Sequence, residues 1–223
     1  MRFLILITLF CLCFCSGCRK RDNRAIGDIY LIPQEVKDYT YFLSGTYWIY
    51  QDSITGNFDS VYVFDAYIDT DTIELKPDDP GKEIVEYYFY RTKSSYLNKM
   101  VTYDCNTSFY KCVDNKEMRP CFYTTRGNSD GSGFCFFYEF YEGAWTYAGY
   151  GNIYSKITLV KNWGSFQLNN ATYSNVVEFY DDKNITEDDN RTCFYFSKNI
   201  GIIRKEILDS NQTWNLIRYN IVQ

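Results

Sequence analysis

The chain has 223 residues, 20% of them aromatic, with 9 cysteines, no histidine and a formal net charge of −5. The missing imidazole removes Ser-His-Asp and Cys-His catalysis, imidazole proton shuttling and imidazole metal ligation. The acidic balance runs against a nucleic-acid-binding protein, which needs a basic footprint to neutralise phosphates.

The chain opens with the positive pair Met1-Arg2, an apolar run over residues 3–14, then Cys15-Ser16-Gly17-Cys18 and the polar Arg19-Lys20-Arg21. Such a run is too short to span a bilayer as a helix, which takes ~20 residues, but it suits a signal-peptide core. Ser16-Gly17-Cys18 resembles the end of a bacterial lipobox, with Cys15 where Leu or Val is more usual. The resemblance implies cleavage before Cys18, palmitate and related acyl chains on that cysteine, and anchoring of everything downstream. The alternative is an ordinary secretory signal with a cysteine nearby. The expected organisation is therefore a signal peptide over 1–17, a lipidated cysteine and tether over 18–38, and one all-β domain over 39–223. No second apolar stretch approaches ~20 residues, so the acyl chains form the anchor. The expected location is the bacterial cell envelope, lipid-anchored in the outer membrane, with periplasmic and surface orientations both open.

Beyond the tether the sequence reads as strands and turns. Residues 46–52 and 60–68, aromatic and β-branched, flank the turn-like Thr55-Gly56-Asn57 and predict a hairpin. Residues 73–75 extend the sheet before Pro77-Asp78-Asp79-Pro80-Gly81, a turn sequence. Strands are expected over 84–91, 99–103 and 108–113, and over 121–125 and 134–141 on either side of a glycine-rich loop at 126–133. Further strands are expected over 144–147, 153–161, 171–180, 192–197, 201–207 and 213–221. No stretch carries an apolar i, i+3, i+4 stripe of helix length. The fold class is all-β, an antiparallel sheet of about ten to twelve strands, arranged as a sandwich, a barrel or an open half-barrel.

Residues 41–53 (YFLSGTYWIYQDS) with Asp59-Ser60-Val61 resemble the opening of uncharacterised Bacteroidetes envelope lipoproteins, and residues 201–207 with 214–219 look like their C-terminal hairpin. The resemblance implies an envelope lipoprotein and an antiparallel β fold, and no activity. Asp52-Ser53-Ile54, Asp59-Ser60-Val61 and Asp71-Thr72-Ile73 resemble the short O-glycosylation pattern of the same bacteria.

Apart from Cys18, the cysteines downstream of the signal peptide are Cys105, Cys112, Cys121, Cys135 and Cys193. Cys121 and Cys135 are equidistant from Asn128, so a hairpin centred there sets them face to face; Cys105 and Cys112 flank residues 107–110 in the same way. Opposed strand positions lie ~4.5–5.5 Å apart at Cα, within disulfide range. Closing a ~15-residue loop is worth ~3 kcal/mol in the chain-entropy model. Both bridges are expected in an exported protein, with Cys193 free and buried; the alternative is five reduced thiols. No thiolate pair has zinc spacing and no acidic cluster has EF-hand spacing, so neither a metal nor a cofactor is expected.

The aromatic excess reads first as cross-strand packing, with tyrosine hydroxyls left wet on a solvated face. Within the glycine-rich, aromatic stretch 134–150, Tyr138, Phe140, Tyr141, Trp145, Tyr147 and Tyr150 are the candidates for an exposed platform that binds sugar rings or a partner protein. The expectation is a non-catalytic, lipid-anchored envelope protein that binds a ligand or partner. The alternatives are a carbohydrate-binding accessory lipoprotein for glycan utilisation, or a half-barrel that carries lipid. The expected partners are the membrane, through the lipid, and a glycan or envelope protein, with no nucleic acid.

Overall fold

The computed structural model describes residues 26–74, 82–96, 100–106, 121–126, 130–135, 142–143, 145–150, 153–184 and 190–223. They form one short helix, α1 (Gln34–Thr40), and thirteen strands. The strands are β1 (Ile26–Tyr30), β2 (Tyr47–Asp52), β3 (Phe58–Glu74), β4 (Lys82–Ser94), β5 (Met100–Asn106), β6 (Cys121–Arg126) and β7 (Asp130–Cys135). They continue as β8 (Trp145–Tyr150), β9 (Ile153–Leu168), β10 (Ala171–Asn184), β11 (Asn190–Ser197), β12 (Gly201–Ile207) and β13 (Gln212–Asn220).

All thirteen belong to one sheet: twelve follow the order β7-β6-β5-β4-β3-β2-β13-β12-β11-β10-β9-β8, and β1 pairs with β4 off this path. Every neighbour in that order is a neighbour in sequence except β2 and β13, which pair antiparallel and bring the two ends of the domain together. The all-β expectation holds, and the sheet is open. Strands β7 and β8, at the two ends of the order, approach each other without a ladder between them among the described residues.

The sheet is built twice over. Strands β2–β7 run 6, 17, 13, 7, 6 and 6 residues; β8–β13 run 6, 16, 14, 8, 7 and 9. A glycine at positive φ precedes each set by two residues: Gly45 (φ 98°) and Gly143 (φ 85°). That backbone conformation is closed to most side chains and open to glycine. The Gly45 N–H donates to Val63 O (3.1 Å) on β3, and the Gly143 N–H to Leu159 O (2.8 Å) on β9. Directly after each acceptor the long strand slips register. Val63 faces Thr92 and Asp65 faces Arg91, so Phe64 bulges; Leu159 faces Phe179 and Lys161 faces Glu178, so Val160 bulges. A β-bulge bends the strand and raises its twist, which is what a long strand needs to wrap a core.

Residues 18–38 differ from the expected tether. Residues 18–25 lie outside the described residues, but Ile26–Tyr30 is a strand, paired parallel with the start of β4, and α1 follows. Pro33 sets the helix start, a position where its missing N–H costs nothing. Ile32, Val36, Tyr39 and Thr40 are buried. Two helical turns are too few to show a periodic stripe, which is why the sequence pattern passed over them.

Helix α1 joins the two half-sheets. The Lys37 ammonium pairs with Glu86 of β4 (2.8 Å), and the Thr40 and Tyr88 hydroxyls are hydrogen-bonded. On the other side, Tyr39 Oη–H donates to Asn175 O (2.9 Å) and the Asn199 N–H to Asp38 O (2.6 Å). Phe42, next along, meets Trp48 and Tyr90 edge-on, at 4.9 and 5.9 Å between centroids. Many core tyrosines thus keep their hydroxyls dry and partnered, where the sequence suggested wet ones; Tyr50 likewise donates to Ile202 O (2.9 Å). Burial pushes the Tyr50, Tyr88 and Tyr90 hydroxyls well above the usual phenol range. Asp130–Gly133, expected as loop, belongs to β7, where ladder pairing with Tyr123–Arg126 of β6 outweighs the glycines.

Candidate binding face

Register brings a line of polar side chains across five strands of the second half. Lys161 of β9 faces Glu178 of β10, Glu178 faces Tyr195 of β11, Tyr195 faces Arg204 of β12, and Arg204 faces Asn215 of β13. Directly opposed residues in a ladder share a face, so the five form one row. Trp163 flanks it from two positions along β9, and Phe166 lies 5.5 Å from the Trp163 ring and 5.0 Å from the Tyr195 ring.

The row is tightly cross-linked at its centre. Trp163 Nε1–H donates to Glu178 Oε2 (3.0 Å), and Tyr195 Oη–H donates to Glu178 Oε1 (3.3 Å). The Lys161 ammonium sits 3.7 Å from the Trp163 ring centroid and the Arg204 guanidinium 5.7 Å from that of Tyr195, both within cation–π range. Arg204 also pairs with Glu206 (2.5 Å). Two cations and two carboxylates therefore compensate each other. Among the described residues two buried side-chain atoms have no partner: Arg204 Nε, a donor, and Asn215 Oδ1, an acceptor, on residues that face each other. Unpartnered buried polar atoms are uncommon and call for a further hydrogen-bonding group, such as a water or a ligand.

The titratable groups beside the row are held protonated. Burial pushes the Cys193 thiol up to about 11, with the Glu206 and Glu178 carboxylates adding to the shift. Burial, followed by the same two carboxylates, raises the Tyr195 hydroxyl well above its usual range. Near neutral pH neither is a nucleophile or a base; both offer hydrogen bonds. Such an arrangement can donate hydrogen bonds to a ligand and supplies no nucleophile or base of its own.

The residues singled out from sequence fall differently. Cys18, Cys112, Tyr138, Phe140 and Tyr141 lie outside the described residues. Cys121 faces Cys135 across β6–β7, the register that hairpin symmetry gives, and Cys105 is buried on β5 opposite Tyr88. Trp145, Tyr147 and Tyr150 are on β8, opposite Thr158, Lys156 and Ile153. The register line from Trp145 runs through Thr158, Tyr180 and Cys193 to Glu206, alongside the row. Sequence reasoning missed Lys161, Trp163, Glu178, Tyr195, Arg204 and Asn215. Successive members of the row are nine to seventeen residues apart, and nothing in linear spacing joins them.

Among the described residues no group of three or more His, Cys, Asp or Glu is placed to hold a metal ion, and no helix is long and apolar enough to cross a membrane. No family model, no curated protein and no solved structure matches this chain.

Proposed function

We propose that this is a lipid-anchored protein of the bacterial cell envelope, held in the outer membrane through Cys18, whose β domain binds a ligand or partner without catalysis at the face formed by β9–β13. The observation that carries the binding part is the row itself: cations and carboxylates balanced in number, a phenol and a thiol kept protonated, and a donor and an acceptor left open. The anchor part rests on Ser16-Gly17-Cys18 after a short apolar core. Acyl-chain cargo suits the chain less well, because among the described residues the core holds the buried side of α1 and the hydroxyls of Tyr39, Thr40 and Tyr88.

The test of the anchor is metabolic labelling in a bacterial host. The wild-type chain takes up radiolabelled palmitate and sediments with membranes, whereas Cys18→Ala remains an unlabelled, uncleaved precursor. Unchanged processing and labelling in Cys18→Ala would overturn the reading.

A further inference from the structure

Resting on that reading, we propose that the β9–β13 face is a binding site for a neutral glycan. The row is the right shape. Four interstrand steps of ~4.8 Å separate Lys161 from Asn215, a track of about 19 Å measured along the sheet, the length of a short oligosaccharide.

Its charge selects against ionic ligands. Lys161 and Arg204 are balanced by Glu178 and Glu206, so the face has no excess of either sign with which to attract a phosphate, a uronate or a polyamine. The open pair of atoms is more selective still. Arg204 Nε–H needs an acceptor and Asn215 Oδ1 needs a donor. An anion satisfies the first and is repelled by the second; an ammonium does the reverse. A single hydroxyl satisfies both, accepting from Arg204 and donating to Asn215. The Arg204 side chain is 30% exposed, so a swing away from Glu206 brings the pair to the surface.

The aromatic edge supplies the other half of sugar recognition. Trp163 and Phe166 are partly buried beside the row, and their remaining exposed ring surface is offered to the C–H surface of a pyranose. The indole is held by its bond to Glu178, so its plane is set before a ligand arrives. The Lys161 ammonium over that ring belongs to an exposed, flexible side chain and is readily displaced.

The experiment uses the full chain in detergent on a glycan array carrying neutral and anionic saccharides, followed by calorimetric titration of the best neutral oligosaccharide. The expected result is binding to neutral glycans, with a Kd that holds between about 0.05 and about 0.5 M salt. Trp163→Ala weakens it at least about tenfold. Asn215→Asp sets a carboxylate opposite the Arg204 guanidinium and closes the vacancy. It keeps or raises Tm while costing a similar factor in affinity, so loss of folding cannot account for it. Arg91→Ala, in the first half-sheet, binds as wild type. A blank array, or wild-type affinity in both Trp163→Ala and Asn215→Asp, overturns the proposal. Binding confined to anionic glycans or to an envelope protein, with the same two variants impaired, overturns the neutral-glycan assignment and leaves the binding function standing. Loss of the membrane anchor in the labelling experiment has no bearing on the array.

Discussion

The two half-sheets share a backbone device and differ in what they hang on it. In both, a positive-φ glycine docks on the long second strand, the strand bulges, and the next residue faces an oppositely charged one. In the first half that pair, Asp65 and Arg91, closes on itself at 3.3 Å, with Arg91 over the Phe89 ring. Both side chains are nearly half exposed, so the pair is solvated and complete. In the second half Glu178 turns to Trp163 and Tyr195, Lys161 lies on the indole, and Arg204 and Asn215 keep an open donor and acceptor. The backbone device recurs in the two halves because the bulge solves one problem, the bending of a long strand. The side chains on it differ among the described residues: one pair closes on itself, and the other is drawn into a wider network.

The joint between the halves should be the most sensitive point. Gly201 has φ 89°, and a Cβ there would lie 2.9 Å from Phe42 Cζ, an aromatic carbon wedged against Trp48 and Tyr90. Gly201→Ala is expected to cost about 3 kcal/mol from backbone strain and overpacking together. That appears as a fall in Tm of roughly 6–12 °C in a thermal melt. A loss under about 1 kcal/mol would show that α1 and Phe42 do not clamp the halves.

The contrast itself is tested by removing one carboxylate from each half. Glu178→Ala strands the Trp163 indole N–H and the Tyr195 hydroxyl and should cost about 2 kcal/mol. Asp65→Ala breaks only a solvated ion pair and should cost at most about 1 kcal/mol. Equal losses by chemical denaturation would erase the distinction drawn between a knitted face and a self-contained one.

The shared device predicts a matched pair of smaller effects. Gly45→Ala and Gly143→Ala place a side chain at positive φ without a serious collision among the described residues, the nearest atom to Gly45 being Val222 Cγ2 at 3.7 Å and none of theirs lying within 4 Å of Gly143. Each is expected to lose about 1–2 kcal/mol, equal within about 0.5 kcal/mol. A neutral substitution at one glycine alone would break the equivalence of the halves.

The gentlest probe is pH. Cys193 ionises near 9 in an unfolded chain and near 11 in the folded one. The unfolded state therefore loses its proton first as pH rises. Stability from this group is complete below pH 9 and declines between about 9 and 11. Site-resolved alkylation should show a Cys193 midpoint near 11, and Cys193→Ala should flatten the alkaline decline; a midpoint near 9 would mean that the thiol is not shielded by the face.

Much of the fold was legible because strands announce themselves locally. Residues 46–52, 201–207 and 213–221 were placed within a residue or so, their alternating aromatic and β-branched side chains matching a half-buried pleat. Residues 162–168, with Gly164 and Ser165, carry no such signal, and they are strand because β10 pairs with them. Helix α1 is short, and its apolar side is read only against the sheet it joins. The candidate face was illegible for a related reason. The aromatics of 134–150 stand out because they are adjacent in the chain, whereas the row assembles from one residue per strand.

The sequence alone determined the strand-rich character, the exclusion of imidazole chemistry and the residue opposite Cys121 in its hairpin, all of which depend on residue type and local symmetry. Only the tertiary structure decided that β2 joins β13, that α1 bridges two half-sheets, and that Glu178, Tyr195, Arg204 and Asn215 stand side by side. The physical reason is that a ladder of antiparallel strands converts a separation of nine to seventeen residues into one interstrand step of ~4.8 Å. Register, which sets that conversion, is settled by burial and bulges across the whole sheet and leaves no trace in the spacing of any one segment.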